Sequence, residues 1–104
     1  MSSTQVIFLS TLREGADAEE YERWIREVDY PTARSLPSVV SYNVLRISGA
    51  IRGSAPCHYV ELIEVSDFER YRMELQTMPG RTEFLEELNS FLGDVNSFYG
   101  TLVE

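Results

Sequence analysis

The chain is short of cysteine, histidine and positive charge. Cys57 is the one cysteine and His58 the one histidine among 104 residues. An internal disulfide is therefore excluded. The three or four nitrogen and sulfur ligands of a structural zinc site are missing as well, so no metal is expected. Nine basic residues stand against seventeen acidic ones, for a net charge of −8 and a pI near 4.6. Such a field repels phosphate backbones and anionic lipid, which argues against nucleic acid and membrane surfaces as partners. Long apolar runs are absent too. The longest are short pieces such as Val6-Ile7-Phe8-Leu9, far below the roughly 20 residues that span a bilayer. The start, Met1-Ser2-Ser3-Thr4-Gln5, lacks the basic and apolar regions of a signal peptide, so the cytoplasm is the expected location. There is no phosphate-cradling loop, no dinucleotide fingerprint, no Gly-x-Ser-x-Gly and no paired-His motif, and no cofactor is expected.

What is present suffices for one globular domain over residues 1–104. Hydrophobic residues make up 43% and charged residues 25%, close to the average for folded chains of this size. Residues 5–12 are β-branched and apolar, and Arg13-Glu14-Gly15 ends the run, which predicts a first strand. Asp17 and Glu20 form a capping-box pattern. Tyr21, Trp24, Ile25 and Val28 follow at helical spacing, with a solvated acidic face running from Glu14 to Glu27. Pro31 predicts that this helix stops near Asp29-Tyr30.

A second strand is expected over residues 38–47 and a third over 57–65, joined by a Gly-, Ser- and Pro-containing connection. Ser66 with Glu69 predicts the cap of a helix that carries Phe68, Tyr71, Leu75 and Met78 on one face. Pro79-Gly80 interrupts it. Phe84, Leu85, Leu88, Phe91 and Leu92 then mark a further helical segment, with Gly93 as its expected C-cap and residues 95–103 as the fourth strand.

The resulting order, β-α-β-β-α-β, predicts an α+β fold of the ferredoxin-like type: a four-stranded antiparallel sheet with the helices on one face. The other face would be bare. Val6-Ile7-Phe8-Leu9 is apolar on both sides of its strand, and Phe98 and Tyr99 point to opposite sides of theirs. An uncovered apolar face predicts a homodimer, sheet against sheet, enclosing a cavity.

This order over a hundred residues resembles the dimeric α/β-barrel superfamily along the whole chain. More narrowly, Arg26-Glu27-Val28-Asp29-Tyr30-Pro31-Thr32-Ala33-Arg34, the stretch Leu36-Pro37-Ser38-Val39-Val40-Ser41-Tyr42 and His58-Tyr59-Val60-Glu61-Leu62-Ile63-Glu64-Val65 are similar to the RedY-like family of HapK type. That resemblance implies a part in prodiginine or bisindole biosynthesis, with a planar pyrrole or indole intermediate as ligand, as a small enzyme or as an accessory protein serving a pathway enzyme. The wider superfamily also holds cofactor-free monooxygenases, cyclases, isomerases and haem-binding members, and fold alone does not choose among them. Haem members need an axial His on a helix, whereas His58 opens a strand.

Strand alternation sorts the candidate residues by face. On the third strand the more apolar set, Val60 and Leu62, is expected to face the helices, leaving Tyr59, Glu61 and Ile63 toward the cavity between sheets. On the second strand Val40, Tyr42 and Val44 are assigned to the helices, with Ser41, Asn43 and Leu45 inward. Glu61 is the sharpest catalytic candidate, because a carboxylate in mid-strand on a buried face is costly unless paired or functional. A salt bridge to Arg46 or Arg52 is the structural alternative. His58 is the second candidate for proton transfer, set against a capping role at a strand start. Tyr59, Asn43, Ser41, Tyr30 and Asp29 are expected to bind substrate, the last two from a helix end at the cavity mouth. Trp24 reads as core. Cys57 lacks the neighbours of a nucleophile.

Overall fold

A computed structural model describes residues 3–104. Strand β1 (Thr4–Leu12) leads through a turn to helix α1 (Ala18–Trp24), a π-helical turn (Ile25–Asp29) and α2 (Tyr30–Arg34), which follow one another without a break. Strands β2 (Val39–Arg46) and β3 (Tyr59–Val65) come next, then α3 (Phe68–Thr77), α4 (Arg81–Phe91) and β4 (Leu92–Thr101). The strands form one antiparallel sheet in the order β2-β3-β1-β4. This is the α+β, ferredoxin-like arrangement expected from the order of the elements.

Local chemistry accounts for the element ends, and in three places differently from the sequence expectation. Asp17 caps α1 by accepting from the backbone N–H groups of Glu19 (2.8 Å) and Glu20 (3.2 Å). Asp67, not Ser66, caps α3, accepting from the Arg70 N–H at 3.0 Å. Gly93 is no C-cap. Helix α4 runs straight into β4 through an extended Leu92, and Gly93 is the extra residue of a bulge opposite Thr11 and Leu12. A Cβ there would meet Arg13 Cα at 3.4 Å.

The third difference matters most for the site. Pro31 does not stop the first helix at Asp29-Tyr30. Proline has no N–H to give and its ring crowds the carbonyl four residues back. The wider π-turn over Ile25–Asp29 opens the backbone just ahead of it, and helical geometry resumes to Arg34. The π-turn leaves Asp29 only 4% exposed, facing the sheet.

The core lies between the sheet and the helices in two clusters. One gathers Val6, Tyr42, Ile63, Val65 and Tyr71; the other Tyr21, Trp24, Ile25, Tyr59 and Leu92. The Trp24 indole packs against Phe84 and Phe91 and donates to the Glu87 carboxylate, in keeping with its reading as core. No helix among the described residues covers the opposite face of the sheet. Among the described residues no helix is long and apolar enough to cross a membrane.

Candidate functional site

On β3 the buried residues are Tyr59, Glu61, Ile63 and Val65, while Leu62 is exposed. This inverts the expected parity: Glu61 faces the helices, and Val60 and Leu62 face the open side. The register pairs Glu61 with Phe8 of β1 and with Val44 of β2. On β2, Tyr42 and Val44 face the helices as expected, but Val40 is 60% exposed where the strand bulges. Ser41, Asn43 and Leu45 stand on the open face. Ser41 and Asn43 therefore lie across the sheet from Glu61 and cannot flank it. Asn43 instead accepts from Arg34 at 3.3 Å.

A cavity of about 200 Å³ opens between sheet and helices, rather than between two sheets. Glu61 and Ser10 line its sheet side, Asp29 enters from the π-turn, Tyr42 from β2 and Tyr71 from α3. Apart from Thr32 and Arg81 the remaining walls are apolar, among them Phe8, Ile63 and Leu88. Asp29 accepts the Tyr42 hydroxyl at 2.5 Å, both groups being buried.

Glu61 is 8% exposed and, among the described residues, forms no salt bridge. The structural alternative for it is thus not realised, since Arg46 pairs with Glu22 instead. Burial pushes the Glu61 carboxyl up to about 8, and the charge of Asp29 adds to the rise. Burial likewise lifts Asp29 to about 6, held back by the Tyr42 hydrogen bond and by Arg34. The Tyr21, Tyr42 and Tyr71 phenols are all raised, first by burial and then by the neighbouring Glu61 and Asp29. Two acids are thereby set to titrate on either side of neutrality inside a mostly apolar hollow, which is the condition for proton transfer at physiological pH.

The other candidates fall elsewhere. Tyr59 is buried, but its hydroxyl donates to Glu22 at 2.7 Å, and its phenol is raised to about 12, first by burial and then by Glu22. It lines a separate hollow with Arg46 and Tyr30. Tyr30 turns its hydroxyl oxygen to the Val44 N–H at 3.0 Å and lies under the Arg34 guanidinium, 3.9 Å from its ring centre. His58 is exposed, and its Nδ1 accepts the Leu12 N–H at 3.0 Å, a structural bond at the start of β3. Of the named candidates only Glu61 and Asp29 share the cavity.

Sequence reasoning missed Tyr42, Tyr71 and Ser10 as parts of the site. The first two read as ordinary core aromatics. Ser10 carried one usable signal: it continues the helix-facing series Val6-Phe8 as a small polar residue in an apolar strand. It is 0% exposed, and its hydroxyl has no partner among the described residues.

No curated protein matches the chain significantly. Among solved structures it is similar to HapK from Hahella chejuensis, with 28% identity, TM-score 0.78, and coverage of 96% of this chain and 92% of that one. It also shares the fold of hydroxynitrile lyase from Passiflora edulis (10% identity, TM-score 0.77, 99% and 95% covered). A dimeric ferredoxin-like protein from Thermobifida fusca is similar at 16% identity and TM-score 0.70, with 97% and 92% covered. The model of the REDY-like protein HapK matches residues 4–103, and the chain belongs to that family.

Proposed function

We propose that this protein binds a planar pyrrole or indole intermediate of prodiginine- or bisindole-type biosynthesis in the cavity between sheet and helices, and promotes its ring closure or condensation by proton transfer through Glu61 and Asp29. One observation carries the reading: Glu61 is buried with no salt-bridge partner among the described residues, beside a second buried carboxyl, in the wall of a cavity. A carboxyl raised to about 8 is an acid at neutral pH, and Asp29, raised to about 6, is available as the complementary base. A cavity of about 200 Å³ lies below the usual 300–1,000 Å³ of drug-sized sites, which favours a ligand of one or two small rings.

The working unit in this proposal is a cytoplasmic homodimer joined through the open sheet face. Leu45, Leu62 and Phe98 are 47%, 39% and 51% exposed there, and the Thermobifida fusca neighbour is described as dimeric. Carboxylate-assisted proton transfer is typically worth about 10²- to 10⁴-fold in rate. Glu61→Gln keeps the shape of the side chain and removes the titrating proton. With the natural intermediate as substrate, turnover in this variant falls by at least about tenfold while His58→Ala stays near wild type. Unchanged turnover in Glu61→Gln, with binding altered instead, would replace the enzyme by a carrier that shields the intermediate or delivers it to a pathway enzyme.

A further inference from the structure

The cavity offers many acceptors and almost no positive charge. Around Glu61, Asp29 comes from the π-turn, Tyr21 from α1, Tyr42 from β2 and Tyr71 from α3, and all four groups are phenols or a carboxyl. Two arginines are near. Arg81 of α4 borders the cavity, but it is exposed and its Nε donates to the Leu75 carbonyl at 3.1 Å. Arg34 of α2 lies on the Tyr30 ring and donates to the Tyr42 carbonyl at 2.8 Å, outside the cavity lining.

A second, independent feature points to a missing donor. Ser10 lines the same cavity, is wholly buried, and its Oγ has no hydrogen-bond partner among the described residues. Buried hydroxyls in native proteins are nearly always partnered. The register pairs Ser10 with Tyr59, two residues from Glu61 on the same face of β3. Ser10 and Glu61 are thus diagonal neighbours, whose spacing across an antiparallel pair is about 7–8 Å. A flat polar group between them reaches both.

We infer that the cavity takes a planar nitrogenous cation, an amidinium- or iminium-type group conjugated to a small aromatic ring, whose N–H donors are received by the Asp29 and Glu61 carboxyls and by Ser10 Oγ. The inference rests on the cavity's being the ligand site and narrows the ligand class. Such a cation supplies the counter-charge that the buried carboxyls lack, through charge-assisted hydrogen bonds. Its ring lies against Phe8, Ile63 and Leu88. The net charge of −8 draws cations toward the molecule. A neutral ligand of the same shape relieves neither carboxyl. Bound next to Glu61, the cation favours the ionised form, so a proton leaves the protein as the ligand enters.

The test is calorimetric titration of the intact protein with benzamidinium and with its neutral isostere benzamide, in two buffers of different ionisation heat. Benzamidinium binds at least about tenfold tighter than benzamide, a difference of about 1.4 kcal/mol. Its affinity rises between about pH 6 and about pH 8, with release of a proton. In Glu61→Gln that rise and most of the preference disappear. Ser10→Ala, which leaves both carboxyls in place, weakens benzamidinium several-fold and keeps the pH dependence. Equal or tighter binding of benzamide, or no binding of either probe, overturns the inference. The proton-transfer reading is judged separately: cation preference together with unchanged turnover in Glu61→Gln would remove that reading and leave this one, and the reverse pattern would do the opposite.

Discussion

Glu61 and Leu62 are neighbours in the chain and sit on opposite faces of the same sheet, each in the place that hydropathy would give the other. The acid is 8% exposed under the helices; the leucine is 39% exposed on the bare side. On the covered face, Asp29, Glu61 and four tyrosines are enclosed within apolar packing. On the open face, Leu45, Leu62 and Phe98 are presented to solvent among Ser41, Asn43 and Asn96. A stable core would put its polar groups outside. The inversion is what the proposed function requires: a chemical task on the covered face and a contact surface on the open one.

The largest expected effect of breaking that contrast comes from neutralising the buried acid. Glu61 holds its proton up to about pH 8 in the folded protein, against 4.5 for an ordinary Glu. Between those values the unfolded chain binds fewer protons than the native one. Stability is therefore fully present below about pH 4.5 and drains away as pH rises through about 8. At about 1.4 kcal/mol per unit, the accumulated loss by about pH 9 is on the order of 5 kcal/mol. Glu61→Gln should be more stable than wild type by that order in urea unfolding at about pH 9, and equal to it within about 1 kcal/mol at pH 4. Parallel pH curves for the two proteins would show that Glu61 is not desolvated.

Next in size is the open face. Wild-type protein at micromolar concentration should sediment near twice 11.9 kDa. Leu62→Asp adds an uncompensated charge to the middle of the proposed contact and should weaken association by about 100-fold or more, with the circular dichroism of the fold unchanged. A variant that still sediments as a dimer would move the interface to another surface. A wild-type monomer would require another explanation for the bare apolar side.

The same inversion explains what could be read in advance. Element order followed from apolar periodicity and from breaks at Gly15, Pro79 and Gly80, because these depend on local backbone chemistry. The expected homology also held, since the family model spans residues 4–103. The facing of β3 could not be read, because the rule that the more apolar set faces the core makes no allowance for a carboxyl buried there. Val60 and Leu62 outrank Tyr59 and Glu61 in hydropathy, yet lie on the other side. Asp29 was expected at a helix end at the cavity mouth, and its buried place within a continuing helix was hidden for a different reason. A proline two residues on signals a helix stop, and a π-turn that carries the helix past it has no pattern in a single sequence.

Two tyrosines of the covered face sharpen the comparison further. Tyr42 donates to Asp29 at 2.5 Å. Tyr42→Phe removes that donor and leaves a buried carboxyl short of a partner, at a cost of about 1–3 kcal/mol. The Tyr42 bond is the main influence holding Asp29 down to about 6, so Asp29 should then titrate higher. Carboxyl chemical shifts followed across the pH range would report it, and an unmoved Asp29 would show that Arg34 alone holds its value down against burial.

The smallest effect is expected at Tyr21, which is 0% exposed and whose hydroxyl has no partner among the described residues. Its ring carries the packing, with Tyr59 at 5.0 Å edge-on and Phe91 at 5.3 Å between centres. Phenylalanine keeps those contacts. Removing a buried hydroxyl that makes no bond relieves its desolvation cost, so Tyr21→Phe should leave stability within about 1 kcal/mol of wild type and on the stabilising side. The matched pair is informative because Tyr42→Phe deletes the same atom from the same face with the opposite sign. If Tyr21→Phe costs as much as Tyr42→Phe in urea unfolding, the Tyr21 hydroxyl is bonded in solution, and the covered face holds one fewer unmet polar group for a ligand to satisfy.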